Sequence, residues 1–203
     1  MKLKKIIISL LLLLLTLGLI HVAPAQADST TSQQVKAIQK RGVLNVGVKQ
    51  DVPNFGYLNP DSNTYSGLEI DIAKKIAKEL GVKINYVPVT AQTRGPLLDN
   101  GQVDMVIATF TITDERKEIY NFTTPYYTDA SGFLVNKSSK ITDVKDLNNK
   151  TIGVVQGSIT QTLLEEIAQE KKLNFKYVEL GSYPELAVSL RAHRIDAISV
   201  DKS

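Results

Sequence analysis

The chain has 203 residues, of which 22% are charged and 43% hydrophobic, a composition typical of a globular protein with one large domain or two small lobes. The absence of cysteine excludes disulfides, thiolate metal sites and cysteine nucleophiles, and two histidines are too few for a histidine metal cluster. The net charge of +3 equals that of the three lysines before residue 28, so the remaining chain is formally neutral. This balance gives no reason to expect nucleic acid as a partner, and no metal or cofactor is expected.

Residues 1–27 have the pattern of an export signal. A basic start precedes an apolar run from Ile6 to Ile20, and Ala25-Gln26-Ala27 forms a small-x-small cleavage triplet. The alternative is an uncleaved membrane anchor, for which the apolar run is short. No cysteine follows the run, which excludes a lipoprotein anchor. We therefore expect an exported protein of the periplasm or cell surface.

After a polar lead-in at residues 28–34, strand patterns alternate with helix patterns. Continuous apolar runs predict buried strands, and apolar residues recurring every three or four positions before a glycine or asparagine predict helices. The predicted elements are helix 35–40, strand 43–48, a turn-rich loop around 53–63, helix 68–80, strand 82–89, a short helix over 95–100, strand 105–110, a helix from Asp114 capped by Thr113, strand 131–135, strand 151–155, helix 159–172, strand 175–180, helix 184–192 and strand 195–200.

This alternation predicts an α/β fold in which helices cover parallel sheets. Two such cycles indicate two lobes, residues 28–130 and residues 131–203, joined by crossover strands near residues 128–132. The last predicted strand lies at the chain end with no helix after it, a poor place for a buried strand. We therefore expect the second lobe to be incomplete, with its return to the first lobe missing.

The stretch from Ala108 to Arg116 is the most informative for function. A buried strand ends in the hydroxyl residues Thr109 and Thr111, and a helix follows with Arg116 in its first turn. A cation near a helix N-terminus is unfavourable without an anionic partner, and hydroxyls, free N–H groups and a guanidinium together match a carboxylate. The alternative is an ordinary surface ion pair between Arg116 and a neighbouring acid.

Two further cations occupy similar junctions. Lys49 follows the first buried strand at its carboxyl end, where open α/β sheets bind ligands, and Arg94 lies in a turn that leads into a helix. Taken singly, each is more typical of a surface charge. Together with Arg116 they exceed what one α-carboxylate requires, which suggests a ligand with an acidic side chain.

The second lobe offers fewer signals. Gln156 and Ser158 lie in a turn before a helix N-terminus, which favours anions, and Asp201 follows the last strand, where it could accept from an ammonium group or be a plain cap or surface acid. Tyr126 and Tyr127 are predicted to cover the connection between the lobes.

Two acids and one histidine are candidates for catalytic groups. Glu69 and Asp71 stand at a predicted helix start and are interpreted as dipole caps, and His193 is expected to face solvent. No nucleophile elbow or zinc-protease motif occurs. We therefore predict that the protein is not an enzyme.

Several motifs resemble family 3 of the extracellular solute-binding proteins, which deliver polar amino acids to ABC importers. The motifs follow in order along residues 35–203: Gly67-Leu68-Glu69-Ile70-Asp71-Ile72-Ala73, Thr109 through Arg116, Asn121-Phe122-Thr123-Thr124-Pro125-Tyr126-Tyr127 and Ile195-Asp196-Ala197. Residues 93–101 and residues 199–203 are similar to the aspartate/glutamate-binding branch. The resemblance implies a two-lobed periplasmic-binding-protein-like fold of type II, truncated at its C-terminus, since the family chain continues beyond Ser203.

The resemblance also implies roles for nine residues. Arg116, Thr109 and Thr111 would hold the ligand α-carboxylate, and Asp201 the α-ammonium group. Lys49, Arg94 and Tyr183 would bind a side-chain carboxylate, and Gln156 and Ser158 would supply contacts from the facing lobe. Lys49 is the discriminating position, because glutamine binders of the family carry an acid at the matching place.

The implied protein is a monomer without cofactor that closes on an amino acid and docks on a membrane permease of an ABC importer, free or as part of a permease fusion. Three alternatives stay open at this point. The ligand could be glutamine or asparagine. The scaffold could carry an enzyme, because dehydratases and peptidoglycan-cleaving enzymes resemble this family. The chain could also be a sensor domain whose signalling segment follows Ser203.

Overall fold

A computed structural model of the chain describes residues 27–203, with side chains from residue 33. The predicted leader lies outside these residues, apart from its last position. Within them, no helix combines the length and apolar character that crossing a membrane requires. Within the described range, residues 27–40 and residues 41–203 belong to separate compact units.

The first unit contributes helix α1 (Ala27–Arg41), which continues one residue into the second. The predicted polar lead-in and short helix are therefore wrong, because the helix already begins at Ala27. Neither glycine nor proline occurs between these bounds, so nothing in the sequence interrupts the helix. It ends where Gly42 adopts a φ of 76°, a left-handed conformation that glycine tolerates.

The first sheet is parallel, with strand order β5-β1-β6. Its members are β1 (Val43–Val48), β5 (Lys83–Pro88) and β6 (Met105–Ile107), and the helices that follow the strands are α2 (Leu68–Leu80), α3 (Arg94–Asp99) and α4 (Asp114–Ile119). Strand β1 is the central strand, and its apolar residues Leu44, Val46 and Val48 are buried, as its continuous apolar run predicts. The predicted Thr113 cap is confirmed, since its hydroxyl accepts from the Arg116 N–H at 3.2 Å.

A small antiparallel sheet fills the stretch predicted as a turn-rich loop. It consists of β2 (Asp51–Val52), β3 (Gly56–Asn59) and β4 (Thr64–Ser66). The prediction of a loop is wrong because strands of two to four residues are too short to show an alternating pattern. Pro53 and Pro60 lie in its turns, as expected.

The second large sheet has the order β7-β10-β8-β9. Its strands are β7 (Ser131–Val135), β8 (Thr151–Val155), β9 (Lys176–Leu180) and β10 (Ala197–Asp201), and the associated helices are a 3₁₀ turn (Val144–Leu147), α5 (Thr160–Lys171) and α6 (Tyr183–Arg191). Strands β8, β9 and β10 are parallel, as predicted, whereas β7 runs antiparallel to β10.

Buried apolar residues line both large sheets, for example Val46 of β1 and Val154 of β8, and the two sheets with their helices agree with the predicted two-lobed α/β fold. The exact bounds of the two lobes stay a prediction. Polar residues lie at or just after the carboxyl ends of four strands in the two sheets: Lys49 after β1, Thr109 after β6, Gln156 after β8, and Asp201 at the end of β10. In open α/β folds this edge of the sheet is where ligands bind.

Candidate functional site

Lys49 is a buried cation with a carboxylate beside it. Its side chain is 2% exposed, and its Nζ lies 2.9 Å from Oδ1 of Asp51 in β2. That carboxylate oxygen is itself buried without hydrogen-bond geometry to any described residue, so the contact is an ion pair and not an aligned hydrogen bond. The small sheet thus folds Asp51 back onto the end of β1 and neutralises Lys49, a partner that a buried ammonium group requires.

Arg94 is a second buried cation, 3% exposed, at the first position of α3. Its Nη1 donates to the backbone carbonyls of Ala108 at 2.7 Å and Thr109 at 2.8 Å. Its Nε is buried and has no hydrogen-bond partner among the described residues, and no carboxylate forms an ion pair with it there. Burial lowers the pKa of Arg94 to about 10, and repulsion from Arg116 adds to the shift.

Arg116 is half-buried on α4 and also lacks a carboxylate partner among the described residues. Its Nη1 donates to the Thr111 carbonyl at 2.8 Å, and its Nη2 donates to the carbonyl of Gly157, in the turn after β8, at 3.3 Å. Burial lowers the pKa of Arg116, with Glu115 opposing the shift. The alternative that Arg116 forms an ordinary surface ion pair does not hold for this structure.

Phe110 brings the two guanidinium groups together. The Cζ atom of Arg94 lies 4.2 Å from the ring centroid, and that of Arg116 lies 4.6 Å from it. A phenyl ring attracts cations electrostatically at these distances. The aromatic ring therefore stabilises two positive groups that repel each other.

Tyr183 connects these cations with the second sheet. It is the first residue of α6, after an N-cap by Ser182. Burial, followed by the nearby carboxylates of Asp201 and Asp51, raises the pKa of Tyr183 to about 12, while Arg94 opposes the shift. The Tyr183 phenol thus lies in the electrostatic field of all three charged groups. Asp201 itself is exposed, and its Oδ1 accepts from the Ser131 hydroxyl at 3.3 Å.

Glu69 is the carboxylate most deeply buried around these cations. It is 0% exposed, and its Oε1 accepts from the Thr109 N–H at 2.5 Å and from the Tyr126 hydroxyl at 2.6 Å. Burial raises the pKa of Glu69, whereas the two hydrogen bonds and the charges of Arg94 and Lys49 lower it. Glu69 lies in the first turn of α2, as its interpretation as a dipole cap requires, but its carboxylate is buried and accepts from Thr109 and Tyr126 and from no N–H group of α2.

The turn after β8 approaches the first lobe closely. A Cβ atom on Gly157 would lie 2.6 Å from the Cα of Gln92, so only glycine fits there, and the residue has a φ of 78°. Gln156 is exposed, with its N–H bonded to the Leu180 carbonyl, and the Ser158 hydroxyl accepts from the N–H of Thr160 at the start of α5. Both polar residues therefore lie beside the contact between the lobes.

A cavity of about 560 Å³ lies elsewhere, at the opposite end of the second sheet. Its lining includes Lys140, Lys150, His193 and Asp196, and it contains none of the predicted site residues. Its charges are of both signs, and Asp196 is already bonded to the Thr151 N–H. Across residues 27–203, no group of three acidic or histidine side chains is arranged to hold a metal ion.

Comparison with known proteins identifies the family. Residues 44–162 match the model of the bacterial extracellular solute-binding proteins, family 3. The chain belongs to this family.

Three curated relatives of this solute-binding protein differ in their named ligands. The chain is 37% identical to a glutamine-binding protein of Geobacillus stearothermophilus over 89% of its own length and 69% of the relative. It is 36% identical to the ABC transporter glutamine-binding protein GlnH of Bacillus subtilis, over 82% of its length and 61% of the relative. It is 28% identical to a glutamate/aspartate import solute-binding protein of Salmonella typhimurium, over 99% of its length and 68% of the relative.

A solved structure supports the same fold. The ancestral amino acid-binding protein AncCDT-1, described as a precursor of cyclohexadienyl dehydratase, matches with a TM-score of 0.74 and 33% identity over 82% of this chain and 73% of the other. These matched proteins are named as binding proteins, although this one stands at the origin of an enzyme. The aspartate/glutamate branch suggested by the sequence stays a prediction, since the two curated relatives of higher identity are named for glutamine.

The structure of this family 3 protein brings most of the predicted site residues into one connected group. Lys49, Arg94, Thr109, Arg116, Tyr183 and Asp201 are linked through shared contacts and electrostatic effects. Thr111 takes part through its carbonyl. In the part of the chain that the structure describes, neither the Thr111 hydroxyl nor the Gln156 side chain has a contact that connects it to the group. That each of these residues contacts ligand stays a prediction.

Sequence reasoning missed three members of the group. The sequence analysis gave Asp51 no role, interpreted Glu69 as a helix cap and placed Phe110 at the end of a strand. Asp51 carried only the signal of an acid two residues after Lys49 along the chain. Glu69 carried no local signal, because its hydrogen-bond partners are 40 and 57 residues away along the chain. Phe110 carried none either, because its role depends on the packing of two arginines around its ring.

Proposed function

We propose that this protein is the substrate-binding component of an ABC importer and captures an acidic amino acid, aspartate or glutamate, outside the cytoplasm. The observation that carries the proposal is the state of Arg94. A guanidinium that is 3% exposed, with a free buried Nε and no ion pair among the described residues, requires an anion to compensate its burial. A ligand carboxylate meets that requirement. The resemblance to the aspartate/glutamate-binding branch supports the same kind of ligand.

The charges of the group favour a ligand with two carboxylates. Lys49 is already neutralised by Asp51, whereas Arg94 and Arg116 donate to backbone carbonyls and have no carboxylate partner among the described residues. Two guanidinium groups near one phenyl ring match two carboxylates of one small molecule. Asp201 supplies the negative charge for the ligand ammonium group.

In this arrangement each end of the ligand has its own partners. Arg116, with Thr109 and Thr111, holds the α-carboxylate, and Asp201 holds the α-ammonium group. The side-chain carboxylate is bound by Lys49, Arg94 and Tyr183, and Gln156 and Ser158 contact the ligand from the second lobe. Since partners come from both lobes, the ligand favours the closed state through contacts that the open state lacks. The loaded protein then docks on a membrane permease.

A second candidate ligand is glutamine, and two observations favour it. The Lys49–Asp51 pair presents a donor and an acceptor within 2.9 Å of each other, which matches a carboxamide. The relatives at 37% and 36% identity are also named for glutamine. Under this alternative Lys49 would donate to the amide oxygen and Asp51 would accept from the amide nitrogen.

Isothermal titration calorimetry of the purified protein with aspartate, glutamate, asparagine and glutamine tests the proposal. We expect the acids to bind at least about tenfold more tightly than the amides, because a charged acceptor strengthens each hydrogen bond from a guanidinium. Tighter binding of glutamine than of either acid would establish the alternative. No heat with any of the four amino acids would refute both.

A further inference from the structure

Glu69 holds two parts of the chain that are distant in sequence on a single oxygen atom. Its Oε1 accepts from the backbone N–H of Thr109, at the end of β6, and from the hydroxyl of Tyr126. Its Oε2 is buried without a partner among the described residues. An acid that is 0% exposed and serves neither as helix cap nor in an ion pair there needs another reason to be present.

The first partner, Thr109, begins the binding segment (residues 109–111). Thr109 has a φ of 47°, a left-handed conformation that is strained for a β-branched residue. Glu69 fixes its N–H, and Arg94 fixes its carbonyl and that of Ala108. The strained turn is therefore clamped from both sides where the sheet passes into the segment that orients Arg116.

The second partner, Tyr126, lies in the connecting segment (residues 120–130), which leads from α4 to β7 and so from the first large sheet to the second. The tyrosine is 45% exposed, and its hydroxyl donates to the buried carboxylate at 2.6 Å. The next residue, Tyr127, packs edge-on against Phe55 with ring centroids 5.0 Å apart. The connecting segment is thus attached to the first lobe by one polar and one apolar contact.

We propose that Glu69 is a positioning residue that couples the binding segment to the connecting segment. Since one oxygen serves both, a shift of Thr109 on ligand binding changes the support of Tyr126, and movement of the connecting segment changes that of Thr109. This coupling rests on the proposed function, because it requires an amino acid to bind at Thr109 and Arg116. Through this coupling, ligand binding in the first lobe would change the position of the connecting segment, which leads into the second lobe.

A double-mutant cycle with Glu69→Gln and Tyr126→Phe tests the coupling, with aspartate affinity measured by calorimetry. Each single change is expected to weaken binding about tenfold, because each removes or weakens a hydrogen bond to a charged acceptor. The double variant is expected to resemble Glu69→Gln and not to show the product of the two effects. Tyr127→Phe is the matched control, since it keeps the ring on Phe55, and should bind like the wild type.

The change in distance between the lobes on ligand binding is a second measurement, and it would stay unchanged if Glu69 and Tyr126 only stabilised the fold. Because the chain has no native cysteine, Lys75→Cys on α2 and Glu166→Cys on α5 allow two labels for interlobe distance measurement. At saturating aspartate, Tyr126→Phe should show a smaller change in that distance than the wild type or Tyr127→Phe. Melting temperatures measured in parallel separate loss of fold from loss of coupling.

Several outcomes would overturn the coupling. These are multiplicative effects in the cycle, affinities within about twofold of the wild type, or full closure in Tyr126→Phe. If Glu69→Gln fails to fold, Tyr126→Phe decides the matter alone, because it leaves the Thr109 bond in place. Failure of the proposed acidic ligand is distinguishable, since it appears in the wild type, and the cycle is then run with whichever of the four amino acids binds.

Discussion

Replacement of Arg94 by methionine tests the role of its guanidinium in both folding and ligand choice. The variant loses two charge-assisted hydrogen bonds, to the carbonyls of Ala108 and Thr109, and a cation–π contact with Phe110. At about 1.5–3 kcal/mol for each bond, partly offset because methionine removes a buried charge, the free energy of unfolding should fall by about 2–4 kcal/mol. If Arg94 also binds the ligand side chain, an acid loses about 1.5–3 kcal/mol, or roughly 10- to 150-fold in affinity, and an amide loses about 1 kcal/mol.

Urea unfolding and calorimetry with glutamate and glutamine measure these two effects separately. Arg94→Lys keeps the charge but not the planar fork, so it should recover part of the glutamate affinity and little of the fold stability. Arg191→Met, at the exposed end of α6, is the control for loss of a positive charge. A folded Arg94→Met variant with an unchanged ratio of glutamate to glutamine affinity would refute a role for Arg94 in reading the ligand side chain.

Three further predictions concern single residues of the site. Asp51→Asn removes the acid that neutralises Lys49, so acid affinity should rise about tenfold relative to amide affinity in calorimetric titrations. Gly157→Ala would place a Cβ atom 2.6 Å from the opposing backbone and should weaken ligand binding about tenfold in the same assay. The pKa of the Tyr183 phenol is raised to about 12, so its neutral form stabilises the wild type below pH 10 and this stabilisation is lost as the pH rises to about 12. Tyr183→Phe should therefore lose less unfolding free energy than the wild type between pH 10 and about pH 12, measured by urea unfolding.

The glycine prediction has a matched control variant, and each of the three has an outcome that would contradict it. Gly101→Ala shares the positive φ, at 72°, but its Cβ would have nothing within 4 Å, so it should lose stability without losing ligand affinity. If the two glycine variants weaken ligand binding equally, the close contact between the lobes at Gly157 does not contribute to ligand affinity. An Asp51→Asn variant with unaltered selectivity, or parallel pH curves for Tyr183→Phe and the wild type, would contradict the corresponding prediction.

Most of the fold follows from short-range signals. Gly42 and Gly81 end helices with positive φ, and Thr113 caps α4, because these roles depend only on local backbone conformation. The small sheet of β2, β3 and β4 was missed because its pairing depends on residues beyond each short strand. The length of α1 was missed because polar residues permit a helix without indicating one.

The candidate site was predictable to the extent that topology decides it. Lys49 and Arg116 follow strands of one parallel sheet, so their convergence could be expected from the strand order alone. The neutralisation of Lys49 by Asp51 and the burial of Glu69 depend on tertiary contacts that no local pattern encodes. These contacts change the charge that a ligand meets, which is why the sequence suggested a surplus of positive charge where the structure has a more balanced group.

A crystal structure of the aspartate complex would show whether these cations bind the two ligand carboxylates. We predict side-chain carboxylate oxygens within about 2.7–3.2 Å of nitrogen atoms of Lys49 and Arg94, and an α-carboxylate bound by Arg116. An aspartate whose side chain points away from Arg94, or whose α-carboxylate lies on Lys49, would contradict the account.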